Sequence, residues 1–375
     1  MRRPPVTEAP RSLGVVFGGA SVEHTISIRS ARAVMAAANA ERWRMVPFAV
    51  SRTGLWLTPD ESSRALSVMQ EGGPEEIADP AAPRTIRIPQ LTLAVLAQCD
   101  AVFPLIHGTS GEDGVLQGFI ETLDLPYVGS GVAASALAMD KARCKRLLRD
   151  VGIPVAPDIV VSCDDWRSDP TAVARRAAEV GYPYFVKPSR GGSSIGAGRV
   201  DSREEAADAL AAAFACDSDV LIEEAMPSPR EIECGVLGSS GGRPPIVSPP
   251  GEIRTQRPFY DYIAKYEDPA TELIAPARLD AELAEQLQRA ALEAWSAVGA
   301  EGMVRADFLV ADDGRFWLGE LNTIPGFTSA SMYPRVFEAA GIPLRDLIDR
   351  LVDLAIERRR NRADGPTAAD REALL

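Results

Sequence analysis

The sequence predicts a parallel α/β unit over residues 1–140, then two α+β units over 141–235 and 236–375. Three observations carry this. In the first section, continuous apolar runs are each followed by a glycine-bearing loop, the pattern of a parallel sheet with ligands at the strand carboxyl ends. In the second, short strands and helices alternate around a Gly/Ser loop. In the third, "VRADFLVADDGRFWLGELNTIPG" (304–326) reads as a β-hairpin, two apolar runs around an Asp-Asp-Gly turn.

"LGVVF" (13–17) opens the chain's order as a strand, and "GGASVEH" turns into the helix "SIRSARAVMAAAN". The acidic, Pro/Gly-bearing stretch 59–83 reads as surface loop. "DAVFPLI" (100–106) is the next strand, followed by "HGTSGEDG" and a helix beginning near Val115. "KARCKRLLRDVG" is a helix closed by Gly152, and "YFVKP" (184–188) is a strand from which "SSIGAGRV" pairs back. "SREEAADALAAAFA" reads as a helix with a capping box of Ser202 and Glu205, and "VLIEEA" (220–225) as a strand. Residues 248–276 form a long Pro/Tyr-rich loop, and loops of that length are usually functional. A helix over 281–298 carries Asp280 as its N-cap, and "LRDLIDRLVDLAIERRR" is a C-terminal helix.

Composition narrows the function. The chain has 375 residues, 46% apolar and 25% charged, as in ordinary globular proteins. A net charge of -13 argues against binding nucleic acid or an anionic membrane, which both need a basic footprint. Five scattered cysteines without a C-x-x-C argue against disulfides and zinc, and point to the cytoplasm. The N-terminal "MRRPPVTEAPRS" lacks an apolar run and reads as a tail rather than a signal peptide.

Four constellations carry chemistry. A two-residue turn at Asp313-Gly314 places Asp307 opposite Glu320 and Arg305 opposite Asn322, all on one face. The same count puts Leu309, Ala311, Phe316 and Leu318 on that face, and Phe308, Val310 and Trp317 on the other. Like charges across a strand pair are destabilising. Either a hard cation such as Mg²⁺ or Mn²⁺ sits between these oxygens, or Arg305 salt-bridges the acids at a solvated hairpin end. In "FVKPSRGGSSIG", Lys187 ends an apolar strand, and Gly191, Gly192, Ser193 and Ser194 offer N–H groups and hydroxyls to phosphates. With a carboxylate metal site, this suggests ATP chemistry. In "VLIEEAM", Glu223 and Glu224 are partners for a nucleoside, or simply a strand reaching solvent. Both histidines, His24 and His107, follow predicted strands beside Glu23 and "GEDG" (111–114), which makes acid–base or anchoring roles plausible.

Together these segments resemble the D-alanine–D-alanine ligases of the ATP-grasp superfamily. The resemblance runs from about Leu13 to Ile356 through "GGASVEHTISIRSA", "HGTSGEDGVLQG", "YVGSGVAASALAMDK", "FVKPSRGGSSIG", "REIECGVLG", "FYDYIAKY", "VRADF" and "ELNTIPGFTSASMYP". It implies a three-domain ATP-grasp fold that joins two D-alanines through an acyl phosphate. By motif, Lys145 and Lys187 would hold ATP phosphates, Ser194 would lie in the covering loop, and Glu223, Glu224, Met226 and Glu231 would line the adenosine site. Lys265 would approach ATP from the long loop. Asp307, Glu320 and Asn322 would bind two Mg²⁺ (or Mn²⁺) ions. Arg305 and the Gly326 N–H would form the oxyanion hole, with Arg305 no longer a salt-bridge partner for the acids. Glu23 would anchor the first D-alanine, linked to Ser193 and Tyr266 in a hydrogen-bonded triad, and His107 would lie near the substrates. Ser331 and Met332 would hold the second D-alanine's carboxylate. The related D-alanine–D-lactate ligases resemble a histidine at the Tyr266 position, so tyrosine implies dipeptide synthesis.

Two sequence features depart from the family pattern, "SRGGSSIG" in the phosphate loop and "PSPRE" (227–231), which ends on Glu231, and neither removes a catalytic group. The resemblance further implies a homodimer. Two other readings stand beside it: a paralogue with D-serine, D-lactate or another D-amino acid as second substrate, and a non-catalytic nucleotide binder. Intact Arg305, Asp307, Glu320 and Asn322 count against the last.

Overall fold

The computed structural model describes residues 9–80, 86–238, 242–255, 268 and 270–363. The N-terminal tail to residue 8, the last dozen residues, and Lys265 and Tyr266 lie outside them.

The first section forms a three-stranded parallel sheet in the order β2-β1-β3, from β1 (Arg11–Gly18), β2 (Trp43–Val50) and β3 (Ala101–Pro104). Helix α1 (His24–Ala37) follows β1 as expected, and α4 (Val115–Thr122) follows β3. Two elements depart from the sequence reading. Strand β2 contains Pro47, which argues against a central strand, but β2 is an edge strand and tolerates it. The presumed surface loop from residue 59 begins with α2 (Pro59–Gln70), opened by a capping box between Thr58 and Glu61 with proline in its first turn. Its acidic, proline-bearing start is therefore helix-initiation chemistry. Helices α3 (Gln90–Leu96) and α5 (Val132–Met139) complete this section.

Helix α6 (Lys141–Asp150), capped by Asp140, leads into an antiparallel sheet ordered β4-β7-β5-β6. Its strands are β4 (Asp158–Ser162), β5 (Tyr184–Pro188), β6 (Gly198–Val200) and β7 (Asp219–Glu224), covered by α7 (Cys163–Ser168), α8 (Pro170–Ala178) and α9 (Ala206–Phe214). The expected capping box at Ser202 is absent: α9 starts at Ala206, and Glu205 accepts the Asp201 N–H (2.9 Å).

The largest sheet has the order β11-β10-β8-β12-β13, with β9 (Ile246–Val247) on β8 (Arg230–Leu237). The expected long loop contains two paired strands, β10 (Gly251–Arg254) and β11 (Glu272–Ile274). Their short "GEIR" and "ELI" runs sit between prolines, which disguised them. Helix α10 (Ala281–Val298) is capped by Asp280 as expected and packs with α6 on one face of this sheet. On the other face, α11 (Met332–Ala339) and α12 (Leu344–Ala363) share a core with Leu13, Val15 and Phe103 of the first sheet. Phe103 meets Phe327 edge-on at 5.4 Å, so the segment after the hairpin lies against the parallel sheet. Among the described residues no helix is long and apolar enough to cross a membrane.

Candidate active site

The hairpin of β12 (Met303–Val310) and β13 (Phe316–Asn322) pairs Arg305 with Asn322 and Asp307 with Glu320, as the sequence suggests. The route to that pairing differs. Three residues form the turn, since Ala311 N–H donates to Arg315 O (2.8 Å), and a bulge between the Asp307 and Phe308 pairs then restores the count. Below the bulge the faces of β13 exchange. Leu318 lies opposite Phe308 in the core with Phe316 at its edge, while Trp317 lies opposite Leu309 on the cleft side. This corrects the expected grouping of Leu318 and Phe316 with Leu309.

The polar end carries the charges in a specific order. Arg305 forks onto Asp307, with Nε to Oδ1 at 2.7 Å and Nη2 to Oδ2 at 2.6 Å, and its Nε lies 3.0 Å from Glu233 Oε2. Arg305 is thus a salt-bridge partner of Asp307 and Glu233, which corrects the expectation that it does not pair with the hairpin acids. Asp307 also faces Glu233 across the β8–β12 ladder, and the guanidinium supplies the cation between those two carboxylates. Asn322 Nδ2 donates to Asp307 Oδ2 (2.9 Å), and Lys141 Nζ lies 3.5 Å from Glu320 Oε2. Among the described residues no three His, Cys, Asp or Glu side chains converge, so a metal here would rest on two carboxylates and an amide. Those hard oxygens suit Mg²⁺, which needs few protein ligands.

A cleft of about 690 Å³ adjoins this end, between the antiparallel sheet and the large sheet. It is lined by Lys145, Lys187, Ser194, Glu223, Glu224, Met226 and Glu231, all expected at a nucleotide site, and by Asp307 and Glu320. Glu223 stands opposite Phe185 in the β5–β7 ladder, and both lysines converge on it. Lys187 Nζ lies 2.7 Å from Glu223 Oε2, and Lys145 takes Oε1. Burial pushes the Glu223 carboxyl up, but Lys145 and Lys187 outweigh it and hold it down at about 2. Lys141 was missed by sequence reasoning. It occupies the first turn of α6, where the helix dipole disfavours a cation, and that mismatch is the signal that marks it. Its Nζ donates to Gly191 O (2.6 Å) in the Gly/Ser loop.

A second, smaller cavity gathers Glu23, His107, Ser193, Arg305, Gly326, Ser331 and Met332. The two cavities share Lys141, Gly191, Gly192, Ser193 and Glu320 as a common wall. In the loop of that wall, Ser193 and Ser194 both adopt left-handed conformations (φ 52° and 59°), a strain that tends to persist at functional sites. Among the described residues the buried Ser193 hydroxyl has no hydrogen-bond partner. Glu23 approaches the same loop so closely that a Cβ on Gly192 would stand 2.8 Å from its Oε2. Ser331 Oγ accepts the Thr328 N–H (3.0 Å) at the start of α11, and Met332 is buried behind it.

The histidines have structural duties. His24 is fully buried, its Nδ1 against Gly19 O (2.6 Å) and its Nε2 accepting the Ile77 N–H (3.0 Å). That binds the 75–77 segment to α1 and leaves no ring nitrogen for chemistry. His107 Nδ1 faces Ile324 O (3.0 Å), which requires a proton there, so Nε2 accepts from Ser30 Oγ (3.1 Å) in the neutral ring. Burial lowers both histidines' proton affinity and keeps them neutral. Glu112, within the "GEDG" stretch, also lines the smaller cavity. Burial and the neighbouring Glu23 charge push its carboxyl up to about 8.

The chain matches known proteins over most of its length. The D-ala D-ala ligase N-terminus model matches residues 12–130, and the D-ala D-ala ligase C-terminus model matches 147–353. A D-alanine--D-alanine ligase of Deinococcus radiodurans is 42% identical, covering 93% of this chain and 99% of its own. One from Geobacillus thermodenitrificans is 39% identical, with 92% and 95% covered. Among solved structures, the D-alanine-D-alanine ligase of Coxiella burnetii superposes with a TM-score of 0.79 at 32% identity, covering 98% of this chain and all of that one. The VanG D-Ala:D-Ser ligase of Enterococcus faecalis gives 0.75 at 32%, with 92% and 99% covered. Both halves of the sequence, and the relatives nearly end to end, are accounted for by one family: this chain belongs to the D-alanine–D-alanine ligases.

Proposed function

We propose that this chain uses ATP to ligate two D-alanines into D-alanyl-D-alanine for peptidoglycan precursor synthesis. The observation that carries the reading is the common wall. The lysine-lined cleft and the cavity holding Glu23 and Arg305 meet at Lys141, the Gly191–Ser193 turn and Glu320. A phosphoryl group held by Lys141 and Lys187 thus borders an amino acid held by Glu23. Transfer of the γ-phosphoryl to the first D-alanine's carboxylate forms an acyl phosphate and ADP. The second D-alanine's amine then attacks the acyl carbon, and phosphate departs from the tetrahedral intermediate as the amide forms.

In this reading Lys141 and Lys187 orient the phosphates, with Lys145 behind them, and Ser194 belongs to the covering loop. Glu223, Glu224, Met226 and Glu231 border the nucleoside. Asp307, Glu320 and Asn322 would hold Mg²⁺, which neutralises phosphate charge when bound. Arg305 has more N–H donors than its two carboxylates use, and it lines the cavity with Gly326, whose N–H would join it in holding a developing oxyanion. Ser331 and Met332 border the second D-alanine. Lys265 and Tyr266 would close the site, and Tyr266 with Ser193 and Glu23 would latch it against water. The reading includes a cytoplasmic homodimer, checked by light scattering.

The test is phosphate release from ATP with D-alanine, L-alanine, or D-alanine paired with D-serine or D-lactate, and mass spectrometry of products. D-Alanyl-D-alanine should dominate, and Glu320→Gln should nearly abolish it. Turnover with D-serine or D-lactate but not with D-alanine as second substrate would overturn the assignment.

A further inference from the structure

The segment after the hairpin is held by a closed ring of hydrogen bonds from the first section. Ile324 donates its N–H to Glu112 Oε1 (3.1 Å), and its carbonyl accepts from His107 Nδ1 (3.0 Å). Phe327 donates its N–H to Ser30 Oγ (3.2 Å), and the Ser30 hydroxyl meets His107 Nε2 (3.1 Å). Glu112 is itself fixed, its Oε2 accepting the Gly108 N–H (2.7 Å). Only Pro325 and Gly326 lie between the anchored residues, and proline has a fixed φ.

From this ring we infer that Ser30 and Glu112 are positioning residues that aim the Gly326 N–H into the smaller cavity. The inference rests on the ligase reading for what Gly326 does, though the ring itself does not. Both polar atoms of Ile324 are taken by neighbouring side chains of one loop, and Phe327 by a hydroxyl of α1. Neither Ser30 nor Glu112 needs to touch the substrate for this. A donor aimed about 1 Å away from an oxyanion loses on the order of 100-fold in rate.

The experiment pairs kinetics with hydrogen exchange on wild type, Ser30→Ala, Glu112→Gln and Glu112→Ala. Exchange at Ile324 and Phe327, read from a peptide spanning 321–332, should quicken at least tenfold in the variants. Turnover should fall about tenfold or more, with KM for ATP within twofold and Glu112→Gln milder than Glu112→Ala. A lesion that merely loosened the fold would quicken exchange everywhere and raise KM for ATP as well. Unchanged exchange over 321–332, or unchanged turnover with quickened exchange, overturns the inference. If wild type itself released no phosphate with D-alanine, the ligase reading would fail, while exchange would still decide the ring.

Discussion

Glu23 and Gly192 occupy adjoining space so tightly that a single methyl on the glycine would lie 2.8 Å from the Glu23 carboxylate oxygen. One residue starts α1 in the parallel section, the other turns the Gly/Ser loop of the antiparallel section. Their contact is where those two sections meet over the smaller cavity.

Gly192→Ala should therefore displace Glu23 without unfolding the protein, because a flexible side-chain end moves at little cost. An ammonium–carboxylate hydrogen bond contributes about 2 kcal/mol, so KM for D-alanine should rise roughly 30-fold. KM for ATP should stay within about threefold, on the same scale of argument. Steady-state kinetics with a melting curve checks this. Equal rises in both KM values would mean that the methyl deforms the whole loop.

The hairpin shows how much was legible and where legibility stopped. Counting from a two-residue turn places Asp307 opposite Glu320, and that pairing is present. It arises from a three-residue turn and a bulge whose effects on the count cancel. Period-2 patterning cannot reveal a bulge when both faces are apolar, because either assignment looks buried. Hence Leu318 and Trp317 were exchanged between faces. Strands β1, β3, β5 and β7, the Asp280-capped helix α10 and the lysine loop were legible because local chemistry dictates them. The Glu223 bridge between lysines and the ring at Ile324 were not, since they join residues distant in sequence. The Arg305 fork on Asp307, only two residues away, was one of two readings that the sequence left open.

The exchanged faces make a prediction. Leu318 is fully buried beside Phe308, so Leu318→Ala should cost about 2–5 kcal/mol of stability. Trp317, half-buried on the cleft side, should affect stability less when truncated and should raise KM for ATP. Urea unfolding and ATP titration of the two variants separate the cases. A Trp317→Ala that unfolds as readily as Leu318→Ala would contradict the observed register.

Glu223 gives the pH dependence. Burial alone would raise its pKa, but Lys145 and then Lys187 hold it at about 2, below the ordinary value of 4.5. A carboxylate whose folded pKa is depressed contributes stability above the unfolded value, and that contribution fades as pH falls from about 4.5 toward 2. The amount is on the order of 3 kcal/mol. Urea unfolding of wild type should thus weaken steeply over that window. Glu223→Gln should be less stable at neutral pH, because Lys145, 2% exposed, loses its counter-charge. Its stability should also fall less between pH 4.5 and the acid limit. Wild-type and variant curves that run parallel through this window would show that Glu223 is not the group titrating there, and that the two lysines are balanced by something else.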